Sequence, residues 1–209
     1  MKKRMNHVDR LTVMAAIATM TLVAVAALAS PAFAHHPFGE AVPNSWFQGL
    51  VSGIGHPTLG PDHLMFIVAV GLLSSLFGLG VPVAFVVASL VGTGLHLLLL
   101  SLPAPEFGIA ASVLVVGLLL AYRRGSAAVA VSLAALAGVF HGYAYGEAVI
   151  GAEMTPLLAY LLGFSIVQLA IALAARQLGQ QLQQRGEALR FAGFALSGAG
   201  AAFISNIIL

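Results

Sequence analysis

Apolar runs recur at residues 61–79, 81–102, 107–122, 127–147, 154–176 and 190–208. Each is about long enough to cross the hydrocarbon core of a bilayer as a helix, a task that takes roughly 17–25 residues. The third, at 16 residues, is the shortest. Helix-breaking residues punctuate the runs: Gly78 to Pro82 after the first, Pro103-Ala104-Pro105 after the second, Arg123-Arg124-Gly125 after the third. The pattern predicts an all-α, polytopic membrane protein with six transmembrane helices. The polar stretch 177–189 is read as a loop too short to fold alone. Residues 35–55 are read as a short exported segment, with Trp46 and Phe47 as an interfacial anchor. In the fourth run Ala130, Ala134, Gly138, Gly142 and Gly146 recur at every fourth position. Such a stripe lets helix backbones approach closely in lipid, which places this helix inside the bundle.

Composition agrees. The chain is 60% hydrophobic and 8% charged, with a mean hydropathy of +1.00. A soluble domain carries about 25% charged residues, so this chain cannot clothe itself in a polar surface. The first 34 residues follow a separate logic. Lys2, Lys3 and Arg4 make a basic start, Leu11 to Leu28 an apolar core, and Ala32-Phe33-Ala34 a small-x-small cleavage site. These are the three parts of a secretory signal peptide; the alternative is an uncleaved first anchor. The expected organisation is therefore a signal peptide at 1–34 and one six-helix domain at 35–209.

Cleavage would take four of the nine basic residues (Lys2, Lys3, Arg4, Arg10) and one of the seven acidic ones (Asp9). Five basic against six acidic residues would remain, a net −1. The overall pI of about 9.3 thus belongs largely to the targeting segment and gives no reason to invoke nucleic acid. Cysteine is absent, which excludes disulfides, thiolate metal sites and iron–sulfur clusters. With the mature N-terminus outside, all five remaining arginines (Arg123, Arg124, Arg176, Arg185, Arg190) fall in or beside the two cytoplasmic loops, 123–126 and 177–189. Glu40, Asp62, Glu106, Glu147 and Glu153 fall outside, and Glu187 inside. This is the distribution the positive-inside rule requires, with both mature termini outside the cytoplasmic (inner) membrane.

Orientation gives depth to the polar residues. His56, Asp62 and His63 lie at the outer end of the first span, His96 in the outer part of the second, His141 in the outer part of the fourth, and Glu147 at its outer end. His35 and His36 begin the mature chain, also outside. Titratable groups near hydrocarbon are costly and mark functional sites by default. Pro57, Gly60 and Pro61 are expected to keep His56 off the helix that carries His63, on irregular backbone lining a cavity. Pro61 suits the first helical turn, where Asp62 meets the helix dipole favourably. His141 and Tyr145, four apart, share a face; Glu147 points elsewhere unless the helix loosens at Gly146. Imidazole nitrogen with carboxylate oxygen and no thiolate suits Ni²⁺, Co²⁺ or Zn²⁺. The candidate metal residues are His35, His36, His56, Asp62, His63, His96, His141 and Glu147. Each also has a plainer reading: Asp62 as a helix cap, His96 as an interhelical hydrogen bond, His35-His36 as a solvated terminus. His96 and His141 are expected as a station inward of the outer site.

At these residues the chain resembles a known family. His56 to His63, HPTLGPDH, matches the HPxxGxDH signature of the HupE/UreJ family of nickel and cobalt permeases. His141 to Ala148, HGYAYGEA, is similar to that family's second motif, most often HGxAHGxE. Here Tyr145 replaces the second histidine and Glu147 arrives one residue early, which leaves Glu147 or Glu153 as the acidic partner. The resemblance implies a secondary transporter or facilitator, not an enzyme, that takes up Ni²⁺ or Co²⁺ across the bacterial cytoplasmic membrane. It implies no permanently bound cofactor; a homo-oligomer is compatible with it, and the choice between nickel and cobalt stays open. No GxxxxGK[ST] couples the chain to ATP. The alternative is an intramembrane metal- or haem-binding subunit: a hydrolase, which would advertise HExxH, or an electron carrier with His96 and His141 as axial ligands.

Overall fold

The computed structural model describes residues 41–209. Among them are seven helices and no strand: α1 Trp46–Leu59, α2 Pro61–Phe77, α3 Gly80–Leu97, α4 Pro105–Tyr122, α5 Ala127–Glu147, α6 Met154–Gln183 and α7 Ala188–Ile208. The helices begin where local chemistry permits. Ser45 and Ser126 cap α1 and α5 by accepting from the backbone N–H of Gln48 and Val129. Pro61 and Pro105 open α2 and α4, where a missing N–H costs nothing. Gly78 ends α2 with a φ of 95°, a backbone that a side chain would strain.

Five of the helices, α3 to α7, are each long and apolar enough to cross a membrane, and α1 with α2 supplies a sixth span broken by an 80° bend at Gly60. The six predicted spans are therefore present, with three differences. Residues 46–59, expected as irregular exported chain, form helix α1 with Pro57 inside it. The second span stops at Leu97 instead of 102, because Leu99 takes a left-handed φ of 58° ahead of Pro103 and Pro105. The fifth continues through the polar stretch to Gln183, since nothing between Arg176 and Gly186 breaks a helix except Gly179, which is buried in packing. The signal-peptide reading and Glu40, His35 and His36 lie outside the described residues.

α2 occupies the centre and packs against all six other helices. It is buried around its circumference, with Phe66, Ile67, Val70, Leu72 and Leu73 at 0–2% exposure. Around it the helices pair through small residues. α3 and α5 run parallel: a Cβ on Gly142 would strike the Ser89 carbonyl, and one on Gly146 would strike His96. The predicted stripe of Ala130, Ala134, Gly138, Gly142 and Gly146 is buried along its whole length in this seam. α4 and α7 run antiparallel, Gly117 against Ser197 and Gly200 against Leu114. α6 carries α1 along its first half, Gly53 against the Tyr160 carbonyl, and α2 along its second, Gly71 against Ala172.

The five arginines of the described residues gather at one end. Arg123, Arg124 and Arg190 line one cleft with Glu187, and Arg176 donates to the Ser74 carbonyl near the end of α2. The start of α2, with His63, lies away from that end, about halfway along α6.

Candidate metal centre

The bend between α1 and α2 delivers the signature residues to the bundle interior. His56 stands on the last turn of α1, not on irregular chain as expected. The helix accommodates Pro57, and the break falls instead at Gly60, whose Cβ would meet His63 Cδ2 at 2.7 Å and Asp62 Oδ1 at 3.3 Å. Both side chains therefore fold back over a position that only glycine fits. Asp62 Oδ1 accepts from the His63 backbone N–H at 2.8 Å, so the carboxylate serves the first turn of α2.

From that turn His63 enters the interior at 6% exposure and meets His141, fully buried on α5. Their Nδ1 atoms are 2.9 Å apart. The other nitrogen of His141, Nε2, lies 3.0 Å from Ser112 Oγ on α4. Donor counting then orients the chain of bonds. Ser112 has one hydroxyl proton, which it donates to the Ile109 carbonyl at 2.6 Å. It can therefore only accept from His141 Nε2–H. A neutral His141, the form favoured at full burial, then turns a lone pair on Nδ1 towards His63, whose Nδ1–H donates. The His141 ring is clamped by Phe66, stacked at 4.4 Å, and by Phe85 edge-on at 5.7 Å.

Three more rings close the site. Tyr145, one turn after His141, lies 4.8 Å from the His63 ring and 5.2 Å from the His56 ring. The His56 and His63 rings are 5.6 Å apart. Tyr160 donates to the Tyr145 carbonyl at 2.8 Å, and Phe164 packs on the Tyr145 ring at 5.4 Å. His56, Asp62, His63 and His141 are thus brought to one place; His141, expected with His96 at a station inward of the outer site, instead contacts His63 directly.

The other expected residues go elsewhere. His96 Nδ1 donates to the Tyr143 carbonyl at 2.7 Å, and the two rings stack at 4.2 Å. Tyr143 is two residues after His141, about 200° around the helix at 100° per residue. His96 and His141 therefore engage different sides of α5, which also separates them as a facing haem-ligand pair. Glu147 is exposed at the last position of α5, and Glu153 is exposed ahead of α6. The position one residue beyond Glu147, where the usual second motif puts its acid, is the buried Ala148.

Sequence reading missed two polar residues here. Ser112 is a hydroxyl within the third apolar run, and Gln168, fully buried, is the one amide inside the apolar part of the fifth. Their isolation among apolar neighbours was the available signal.

A divalent ion about 2.1 Å from two imidazole nitrogens at a right angle holds them roughly 3.0 Å apart. The facing Nδ1 atoms of His63 and His141 have a similar spacing but point at one another along a hydrogen bond, so an ion held by both requires the rings to turn. Among the described residues, no group of three or more His, Cys, Asp and Glu side chains is arranged to hold an ion. The arrangement is thus a hydrogen-bonded imidazole pair with His56 and Tyr145 at its rim.

Apolar spanning helices around a buried imidazole pair define a multi-pass membrane protein with its polar site inside the bundle. The family described as HupE / UreJ protein matches residues 22–203. Protein HupE of Rhizobium leguminosarum bv. viciae is 33% identical over 188 residues, covering 86% of this chain and 94% of that one. The chain belongs to the HupE/UreJ family. No solved structure matches it.

Proposed function

We propose that the protein is a permease that takes up Ni²⁺ or Co²⁺ across the bacterial cytoplasmic membrane, with the histidine end outside and the arginine end in the cytoplasm. The observation that carries the reading is the pair of Nδ1 atoms 2.9 Å apart on His63 and His141, with His141 locked from behind by Ser112. An arriving ion displaces the shared proton and binds beside the line between the two nitrogens, with the rings turning towards it, and His56 and Asp62 guide it from the mouth. Nitrogen donors of this kind suit late first-row divalent ions over Mg²⁺ or Ca²⁺. Binding at a site inside the bundle, by two neutral donors, is favourable yet escapable, as transport requires. His96 in this reading ties α3 to α5. The arginine-rich end supports the orientation by the positive-inside rule.

The test is accumulation of radioactive nickel and cobalt in cells lacking their own permeases. Expression of the protein should raise uptake of at least one ion several-fold, and His63→Ala should return it to background while the protein remains in the membrane. Background uptake of both ions by the intact protein would defeat the reading.

A further inference from the structure

Gln168 sits in the middle of α6 at 0% exposure, and neither its amide nitrogen nor its amide oxygen has a hydrogen-bond partner. The Tyr145 hydroxyl, on a residue equally buried, has none either. The two groups interact with one another, though without closing a regular hydrogen bond. Buried polar groups are nearly always paired, and one left unpaired disfavours the fold relative to an apolar side chain of similar volume. In hydrocarbon, where no water compensates, the penalty is larger. A leucine would fill this place more cheaply, so the amide's presence calls for a ligand that visits it.

Position says which. α6 packs on the Tyr145 ring at Phe164 and on Gly71 of α2 at Ala172. Gln168 lies midway, one turn from each, and so one turn closer to the arginine end than the histidines. Helical side chains lean towards the N-terminus of their own helix. α5 climbs towards the histidine end and α6 descends from it, so Tyr145 leans inward and Gln168 leans outward, and their polar ends converge just below His63.

We propose that the Gln168 carboxamide oxygen and the Tyr145 hydroxyl oxygen form a second, weaker cation site that receives the divalent ion from His63 and passes it inward. The proposal rests on the permease reading above. Two neutral oxygens bind a late transition-metal ion less tightly than two imidazoles do, so the ion moves on.

The test uses the purified full chain, measuring equilibrium binding of ⁶³Ni²⁺ or ⁵⁷Co²⁺, uptake into proteoliposomes and thermal stability for Gln168→Leu, Gln168→Glu and Tyr145→Phe. Gln168→Leu should be at least as heat-stable as the parent, bind the ion within about twofold of it, and transport at least tenfold more slowly. Gln168→Glu, which puts a carboxylate in the site, should hold the ion more tightly and also transport slowly. Tyr145→Phe, which keeps the ring packing, should slow uptake in the same direction. A stabilised Gln168→Leu that transports at the parent rate, or one whose binding falls in step with its transport, overturns the proposal. If Gln168→Leu fails to fold, the amide is structural and the proposal is equally overturned. Failure of the parent protein itself to bind or transport either ion would instead sink the permease reading.

Discussion

His63 and His141 lie 78 residues apart in sequence, yet their Nδ1 atoms stand 2.9 Å apart. Two nitrogens at that distance need something positive between them, a proton or a metal ion, because two facing lone pairs repel. In the permease reading an ion bound at these nitrogens competes with that proton, which a neutral His63 can keep by moving it to Nε2.

That competition is measurable. Loading the protein with Ni²⁺ or Co²⁺ should release protons below about pH 6.5 and few above it, followed with a pH dye in weakly buffered solution. Imidazoles must be deprotonated to bind, and their ordinary pKa is about 6.5. Affinity should therefore fall as pH drops below that value and level off above it. Affinity that stays the same from roughly pH 5 to pH 7.5 would show that the pair is not the seat.

Ser112 acts through His141. Without the hydroxyl, His141 Nε2 loses its acceptor and the ring can adopt the other tautomer, which turns an N–H towards His63. Partners behind a metal-binding histidine typically change affinity by about 10–100-fold when removed. Ser112→Ala should weaken ion binding within that range, and Ser112→Thr, which keeps a hydroxyl, should largely restore it. Unchanged binding in Ser112→Ala would leave the hydroxyl a local partner of Ile109 and nothing more.

Much of this was readable in the chain because membrane helices are written by length and hydrophobicity, which survive without tertiary knowledge. The fourth-position stripe of α5 foretold a close backbone approach on that face for a steric reason, and docking alone shows that the partner is α3. The conformation of residues 46–59 was not readable in the same way. Pro57 suggests a break, but α1 is held by packing of Gly49 and Gly53 on the carbonyls of Pro156 and Tyr160 in α6, each 107 residues further along the chain. His96 and His141 look alike in sequence, each in the outer part of a span. What separates them is rotation about α5, fixed only once α3 and α5 are docked. Ser112 and Gln168 went unremarked because single polar residues in apolar runs are common, and their neighbours come from other helices.

The orientation can be settled by labelling. The chain has no cysteine, so one introduced thiol gives an unambiguous signal. Gln184→Cys sits exposed at the arginine end, between α6 and α7. It should resist an impermeant maleimide in intact spheroplasts and react once the membrane is opened. Glu153→Cys, exposed at the other end, should do the reverse and react at once. Swapped reactivities would invert the proposed direction of transport.

His96 offers the sharpest contrast with its apparent twin. Its Nδ1–H to the Tyr143 carbonyl and its stacked ring join α3 to α5 beside Gly146. A hydrogen bond between membrane helices contributes on average about 0.6 kcal/mol and at most about 1.7 kcal/mol. His96→Ala should therefore lower unfolding stability by roughly that much, with some added loss from the missing ring. Ion affinity should be unchanged, since Tyr143 and His141 face different sides of α5. His141→Ala should behave oppositely: it removes one of the two nitrogens and should abolish tight binding. If His96→Ala cuts binding as deeply as His141→Ala does, both imidazoles serve the ion, and α3 must rotate from the position seen here when the ion arrives.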